Sequence, residues 1–249
     1  MAQKLSERNP ILFAAGSMEH LLPKLITAYK KRGKSADIEM VFGPSSSLCR
    51  KIEENEIFDL FIAASTIHTN ALQKKGMLKN VQLLGINEMV MVYRKGLSER
   101  IEPIEQVLKD QNLIIGISTT GLDPHSNEEP SILKEIGRIT GESVPELTKR
   151  TRLITGGRET PNAPNGRNQY GWIMETQRVE LLFTYFSSAL AAVEDNLDLR
   201  IVQLPRRLRT AGEYGIGIRP GAGAMAADFF EWLLSLQANE ILFELGFQK

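Results

Sequence analysis

The feature that most limits the possible folds of this chain is a repeated sequence pattern. In each repeat a short apolar run is followed by small polar residues and then by a segment with helical spacing of apolar residues. The pattern occurs three times, with apolar runs at 11–15, 37–42 and 58–64 and helical spacing of apolar residues at 21–29, 48–52 and 66–75. Strands that alternate with helices predict a parallel sheet joined by right-handed crossovers. The chain is therefore predicted to be an α/β protein whose ligand binds beyond the carboxyl ends of the strands.

Ser17 and Ser45 each stand where a predicted strand gives way to a predicted helix. The first turn of a helix has unpaired N–H groups and the positive end of the helix dipole, and serine is a favoured cap there. Such a turn is a natural binding site for an anion. One isolated serine of this kind is usually only a cap, but two at neighbouring strand ends suggest one ligand shared between them.

A second α/β set follows an extended stretch at 87–93. We expect strands at 113–117, 180–185, 199–204 and 214–218 and helices at 104–109, 168–177, 188–193, 225–236 and 240–245, with a further helix through Ile132 and Ile136. The last two strands are assigned to the return into the first half of the chain. Pro23 is expected to bend the first helix. The polar loop at 156–166 is long enough to suggest a function, with a simple surface excursion as the alternative.

Composition excludes several classes of protein. Thirty basic residues balance thirty acidic ones, so no global field favours nucleic acid or an anionic membrane. The single Cys49 excludes an internal disulfide, and the three histidines form no metal-binding motif. No stretch approaches the roughly 20 apolar residues that cross a bilayer. The first ten residues lack the apolar region of a secretory signal, so the chain as written would stay in the cytoplasm unless a signal has been removed.

Six short motifs follow one another in a fixed order along the chain. They are FAAGS at 13–17, FGPSSSL at 42–48, FDLFIAAS at 58–65, GISTTGLDP at 116–124, FTY at 183–185 and AGEYG at 211–215. In order and spacing they resemble the molybdate-binding, substrate-capturing component of bacterial ABC transporters, a group of type II periplasmic binding proteins. The resemblance extends from residue 11 to residue 247.

The resemblance implies a two-lobed type II periplasmic-binding-protein fold with the ligand in the cleft between the lobes. Each lobe would be a mixed, mainly parallel sheet flanked by helices. On this reading residues 1–86 and 204–249 form lobe 1 and residues 87–203 form lobe 2, with crossover segments near 84–92 and 199–206. The lobes would close on the bound ligand.

The resemblance also implies a set of ligand-binding residues, which are Ser17, Ser45, Ser46, His125, Ser126, Asn168, Gln169 and Tyr185. The serines of the first lobe would donate hydroxyl and N–H bonds, with the choice between Ser45 and Ser46 left open. The loop at His125 and the helix start at Asn168 would add N–H groups, and Tyr185 a phenolic hydroxyl. All of these donors are neutral except His125, which can carry a positive charge. Neutral donors suit a fully ionised tetrahedral oxyanion, which only accepts hydrogen bonds.

The chain departs from the family pattern at two places. Pro44 stands where the family has a small polar residue and removes one donor. The residues after Pro124 are bulkier and more charged than in the family, which leaves the identity of the anion open. Asp123 would matter for a protonated anion because it is an acceptor. Arg158 and Arg167 flank the polar loop, where each either adds positive charge near the ligand or is simply solvated.

The sequence thus predicts a non-enzymatic solute-binding protein that captures molybdate or tungstate and delivers it to an ABC-transporter permease. It predicts no cofactor and no bare metal ion, no binding to nucleic acid, no membrane insertion and a monomeric state. The location would be periplasmic or at the cell surface after export. The alternative is an intracellular sensor of the same fold for another anion or a small metabolite. A Ser-His catalytic reading of Ser17 with His20 is rejected because no carboxylate orients the histidine.

Overall fold

The computed structural model describes residues 8–33, 37–117, 131–154 and 160–249. The chain divides into two compact units, unit 1 comprising Met1–Asn87 with Gly212–Lys249 and unit 2 comprising Glu88–Ala211. The sequence placed these divisions at 86/87 and 203/204. Residues 204–211 fall in unit 2 because Leu204 and Leu208 are buried in a hydrophobic cluster of that unit.

The described strands and helices alternate along most of the chain. The strands are β1 (Ile11–Ala15), β2 (Glu39–Gly43), β3 (Leu60–Ala63), β4 (Lys79–Arg94), β5 (Ile115–Ile117), β6 (Thr151–Leu153), β7 (Leu181–Tyr185), β8 (Leu199–Gln203) and β9 (Ala211–Ile218). The helices are α1 (Leu22–Lys30), α2 (Ser45–Glu53), α3 (Thr66–Lys74), α4 (Ile104–Leu108), α5 (Ser131–Thr140), α6 (Val144–Lys149), α7 (Gln169–Thr176), α8 (Phe186–Asp195), α9 (Ala224–Leu233) and α10 (Leu236–Glu244). Short 3-10 turns occupy Gly16–Met18, Lys95–Arg100 and Arg206–Leu208.

In unit 1, strands β2, β1, β3 and β9 lie side by side in that order. The pairs β1–β2 and β1–β3 are parallel, whereas β3 and β9 are antiparallel. The strands β1 and β3 are buried on both faces, which is why they read in the sequence as almost uninterrupted apolar runs. On one face Phe13 and Phe61 pack with apolar residues of α2 and α3. An aromatic group of Tyr29, Phe229 and Trp232 joins α1 to α9, with ring centroids 4.9 to 5.9 Å apart.

In unit 2, the strand order is β8, β4, β7, β5 and β6. The pairs β5–β6 and β5–β7 are parallel, and β4 is antiparallel to both β7 and β8. Alternate residues of β7 enter two separate cores: Leu181 and Phe183 pack on one face and Leu182 on the other. Helices α7 and α8 supply the second core, so this sheet is covered by apolar side chains on both faces.

The mixed α/β class predicted from the sequence is confirmed, and several details differ. The strand at 199–204 was assigned to the return into the first lobe, but β8 pairs with β4 in unit 2. β4 begins at Lys79, well before the predicted extended stretch, and α6 was not predicted. No helix within the described ranges is both long and apolar enough to cross a membrane.

Candidate functional site

Ser17 lies in the 3-10 turn directly after β1 and is buried. The α-helix expected to start here begins only at Leu22, after a cap residue, Leu21, that makes no side-chain cap bond. Ser17 is therefore not a helix cap. Pro23 falls in the first turn of α1, where its missing N–H has no intrahelical acceptor to lose. The Ser17 Oγ instead lies 2.6 Å from the phenolic oxygen of Tyr214.

Ser45 is the first residue of α2, and it does not cap that helix either. The cap position is Pro44, which makes no side-chain cap bond. The Ser45 Oγ accepts a hydrogen bond of 3.1 Å from the backbone N–H of Ala64. Within α2, the first N–H that finds a helical acceptor is that of Leu48, which donates to the Pro44 carbonyl at 3.0 Å. The N–H groups of the first turn, Ser45 to Ser47, therefore have no acceptor in the helix itself.

The structure brings Ser17 and Ser45 to one edge of the unit 1 sheet. β1 and β2 are parallel with Ala15 opposite Gly43, so the turn that carries Ser17 and the start of α2 follow neighbouring carboxyl ends. β3 is parallel to β1 in the same sheet and ends at Ala63, one residue before the Ala64 N–H that binds Ser45. Ser46 is half-buried beside Ser45 in the same turn. Unit 1 thus presents two hydroxyl groups and a row of N–H groups at one sheet edge.

Tyr185 is the last residue of β7 and the cap residue of α8. It is 7% exposed, and burial, with a smaller effect from the neighbouring Tyr170, raises the pKa of its phenol to about 12. The hydroxyl is therefore neutral at pH 7 and retains a proton to donate. β7 is parallel to β5, with Phe183 opposite Ile117, so Tyr185 lies at the carboxyl edge of the unit 2 sheet. His125 and Ser126, with Asp123 and Arg158, lie outside the described residues.

Asn168 is the cap residue of α7, and the structure gives its polar groups partners inside unit 2. Its Oδ1 accepts from the N–H groups of Tyr170 and Gly171 at 2.9 and 3.2 Å. Its own N–H, one of those at the helix start that the sequence analysis proposed for the ligand, donates to Asp195 Oδ1 at 3.0 Å. Asp195, at the end of α8, thus places a carboxylate of the protein itself at the start of α7.

Gln169 is also used within unit 2. Its Nε2 donates to the carbonyls of Pro161 and Ile154 at 2.8 and 3.1 Å, and its Oε1 accepts from the Ala163 N–H at 2.7 Å. The side chain therefore ties the end of the polar loop to the residue that follows β6. This arrangement assigns the Gln169 side chain a role in loop conformation.

The positive charge of Arg167 is balanced by two carboxylates. Its Nε lies 3.0 Å from Asp195 Oδ1 and its Nη2 lies 2.6 Å from Glu175 Oε2. These bonds, that to Asp195 first, raise the pKa of the guanidinium. Burial alone would raise the pKa of Asp195, but the hydrogen bonds from Arg167 and Asn168 outweigh it and hold that pKa below its usual value. Arg167 is thus engaged in a local network.

Other candidates have structural roles. Burial, with a smaller effect from Glu53, raises the pKa of the Cys49 thiol to about 12, so it is a poor nucleophile. Asp59, the acidic residue inside the third apolar run, is buried in ion pairs of 2.7 Å with Arg8 and 3.0 Å with Arg219. In the part of the chain that the structure describes, no group of three His, Cys, Asp or Glu side chains is placed to hold a metal ion.

Sequence reasoning missed Tyr214 and the serines that do cap helices. Ser65, Ser143 and Ser235 each accept a bond from an N–H in the first turn of the helix that follows. For Ser143 the signal was visible, because Ser143 and Glu146 form a reciprocal capping box. For Tyr214 the sequence offers a motif, AGEYG, but no indication that its hydroxyl meets Ser17.

Comparison with solved structures defines the class. The chain adopts the fold of periplasmic binding proteins: it is similar to the periplasmic molybdate-binding protein of Azotobacter vinelandii, with a TM-score of 0.72 and 15% identity over 97% of this chain and 99% of that one. It is equally similar to the sulfate-binding protein SubI of Mycobacterium tuberculosis, with a TM-score of 0.71 and 16% identity over 97% of this chain and 86% of the other. The predicted fold class is confirmed.

The family follows from the sequence match. Residues 11–248 match the family of bacterial extracellular solute-binding proteins, and the chain belongs to that family. An uncharacterized protein of Pasteurella multocida is 25% identical over 180 residues, which are 71% of this chain and 73% of that relative. The protein is therefore a solute-binding protein of the ABC-transporter type, a family that is generally non-enzymatic.

Proposed function

We propose that the protein captures a small tetrahedral oxyanion, most simply molybdate or tungstate, and delivers it to the permease of an ABC transporter. One observation carries the proposal: the hydroxyls of Ser17 and Ser45 stand at neighbouring carboxyl ends of parallel strands. Beside them, the first-turn N–H groups of α2 have no helical acceptor. A fully ionised oxyanion offers only acceptors and matches this set of donors.

The donors proposed for the anion among the described residues are neutral. Ser17 and Ser45, or Ser46, are hydroxyls, and Tyr185 keeps its proton because its pKa is about 12. Arg167, the cation that directly follows the polar loop, is engaged by two carboxylates. We therefore propose that aligned N–H groups and hydroxyls, without a matching countercharge, bind the anion. His125 and Ser126 remain proposed ligands on the strength of the family resemblance.

Two structural relatives support the oxyanion class. One is named for binding molybdate and another for binding sulfate, both tetrahedral dianions. Both share little sequence with this chain, so they support the class of ligand and leave the particular anion to experiment. We propose further that the protein acts outside the cytoplasmic membrane, as its membership of an extracellular solute-binding family suggests. We also propose that it acts as a monomer.

A thermal-shift screen over molybdate, tungstate, sulfate, phosphate and small carboxylates tests the class of ligand. A ligand that binds only the folded protein raises the melting temperature, and 100-fold excess over Kd adds about 2.7 kcal/mol of stability. We expect a clear shift with molybdate or tungstate at micromolar concentrations. The absence of a shift with every tetrahedral oxyanion would overturn the proposal and favour the alternative, a sensor for another small metabolite.

Ser17→Ala tests the site by titration calorimetry with molybdate. Removal of a donor to a charged oxygen should cost about 1 to 3 kcal/mol, a loss of about 5- to 150-fold in affinity. Ser235→Ala is the matched control, because Ser235 is a true cap whose Oγ accepts from the Ala238 N–H at 3.3 Å. That control should lower stability by about 1 kcal/mol and leave affinity unchanged. Unchanged affinity in Ser17→Ala would refute the site.

A further inference from the structure

The hydroxyls of Ser17 and Tyr214 form a short hydrogen bond in the interior of unit 1. Their oxygens are 2.6 Å apart, and the side chains are 5% and 0% exposed. The two residues are 197 positions apart in the sequence, so this contact depends on the fold of the whole unit. Tyr214 lies on β9, whereas Ser17 lies in the turn after β1. The bond therefore connects the proposed anion site to a different strand of the sheet.

The ring of Tyr214 is fixed by packing. It meets the ring of Phe247 edge-on, with centroids 4.9 Å apart and planes at 72°. Phe247 in turn lies against β4 at Gly85, where an added Cβ would stand only 2.9 Å from the Phe247 ring. The neighbouring Gln248 exchanges backbone hydrogen bonds of 2.6 and 2.7 Å with Ile86. The Tyr214 hydroxyl is thus presented to Ser17 by a ring that packs against a hydrogen-bonded segment of unit 1.

The chemistry of the two hydroxyls favours one direction for this hydrogen bond. Either can act as donor in this pair, but a phenol, with an ordinary pKa of about 10, is far more acidic than an aliphatic alcohol and is the stronger donor. A serine hydroxyl has one hydrogen and two lone pairs. When Tyr214 donates to the Ser17 Oγ, the Ser17 hydrogen points away from Tyr214 and is available to another acceptor.

We propose that Tyr214 is a positioning residue for anion binding: its hydroxyl donates to Ser17 and thereby keeps the Ser17 O–H directed toward the bound oxyanion. The inference rests on the proposed function and assigns a role to a residue that does not touch the ligand. Ser45 has the equivalent arrangement, because its Oγ accepts from the Ala64 N–H and its hydrogen is left to donate. Successive hydrogen bonds in a low-dielectric interior also polarise and strengthen one another.

Tyr214→Phe tests the proposal because it removes the hydroxyl and keeps the ring against Phe247. In calorimetry with molybdate we expect its affinity to fall about 3- to 10-fold, the value of one oriented hydrogen bond. Tyr29→Phe is the matched control: Tyr29 is an equally buried tyrosine of unit 1 whose hydroxyl donates to Asp228. Its affinity should equal that of the wild type. In a Ser17→Ala background, Tyr214→Phe should produce no further loss, which a merely structural role would not predict.

The outcomes separate this inference from the proposed function. The positioning role is overturned if Tyr214→Phe loses equal affinity in the wild-type and Ser17→Ala proteins, or if Tyr29→Phe loses as much affinity. Either result leaves the anion site intact. If the wild-type protein binds neither molybdate nor any other oxyanion, the proposed function fails and the role of Tyr214 falls with it. Urea unfolding of the ligand-free single and double variants tests the pair directly, and zero coupling between Ser17 and Tyr214 overturns the inference whatever ligand binds.

Discussion

Ser45→Ala and Ser46→Ala form a matched pair of substitutions at adjacent positions in the first turn of α2. The sequence leaves open which serine contacts the anion, and the structure distinguishes the two by their internal bonds. Ser45 accepts the Ala64 N–H at 3.1 Å, whereas among the described residues no N–H group is bonded to the Ser46 Oγ. The two variants should therefore differ in stability as well as in affinity.

The magnitudes follow from what each substitution removes. Ser45→Ala leaves the half-buried Ala64 N–H without its acceptor, which costs about 1 kcal/mol, the low end for an unsatisfied donor since water partly reaches it. The same variant loses a hydroxyl donor to a charged ligand, about 1.5 to 3 kcal/mol, or about 10- to 150-fold in affinity. Ser46→Ala should change stability by less than about 0.5 kcal/mol, because alanine is the better helix former and no bond is lost.

Urea unfolding of the ligand-free proteins gives the stabilities, and calorimetry with molybdate gives the affinities. We expect Ser45→Ala to have lower stability and lower affinity than the wild type. Ser46→Ala should be close to the wild type in both quantities. Reduced affinity in Ser46→Ala with an unchanged Ser45→Ala would show that Ser46 is the contact. It would also refute the argument that an internally bonded serine is the oriented donor. Equal stabilities would show that the Ala64 bond contributes nothing.

Two further predictions concern unit 2. The buried guanidinium of Arg150 binds Glu142 through two hydrogen bonds of 2.6 and 3.2 Å and also donates to three backbone carbonyls. Arg150→Lys should therefore lower the free energy of unfolding, measured in urea, by about 2 to 4 kcal/mol. A loss below about 1 kcal/mol would contradict this prediction. Arg167 helps to hold the pKa of Asp195 below its usual value, so the ionised Asp195 carboxylate stabilises the folded protein. This contribution is fully present above the pKa of an unfolded Asp, about 3.9, and is lost as the pH falls through the lower pKa of the folded protein. The difference in unfolding free energy between wild type and Asp195→Asn should therefore shrink below about pH 4, and a constant difference down to pH 3 would disprove it.

The strands that could be predicted are those whose side chains are buried on both faces. The first apolar run was predicted at 11–15, which is where β1 lies, because a buried parallel strand has no polar positions to obscure it. β4 was predicted from residue 87 but begins at Lys79, since its first residues are largely exposed and show no clear period. α6 is short and lacks a long apolar stripe, so its capping box was its main signal.

The positions at the sheet edge could be predicted, but the bonds of Ser17 and Ser45 could not. Both serines follow carboxyl ends of strands, as expected from the alternation of strand and helix. Neither serine caps a helix, because each hydroxyl oxygen is hydrogen-bonded elsewhere. The partner of Ser17 is the Tyr214 hydroxyl on β9, and the partner of Ser45 is the Ala64 N–H just after β3. Local spacing carries no information about partners 197 and 19 residues away. The same sequence signal therefore indicates where a serine lies without indicating what it binds.

The start of α7 shows why an anion would favour the start of α2. Both turns have the dipole and N–H groups that attract negative charge. At α7 a carboxylate is already in place, since Asp195 accepts the Asn168 N–H and is bound in turn by Arg167. A ligand that bound the Asn168 N–H would have to displace a paired carboxylate with a lowered pKa. The first turn of α2 contains no acidic residue, and hydroxyl groups stand beside it. Two helix starts that look equivalent in the sequence are thus distinguished by whether the protein supplies its own anion.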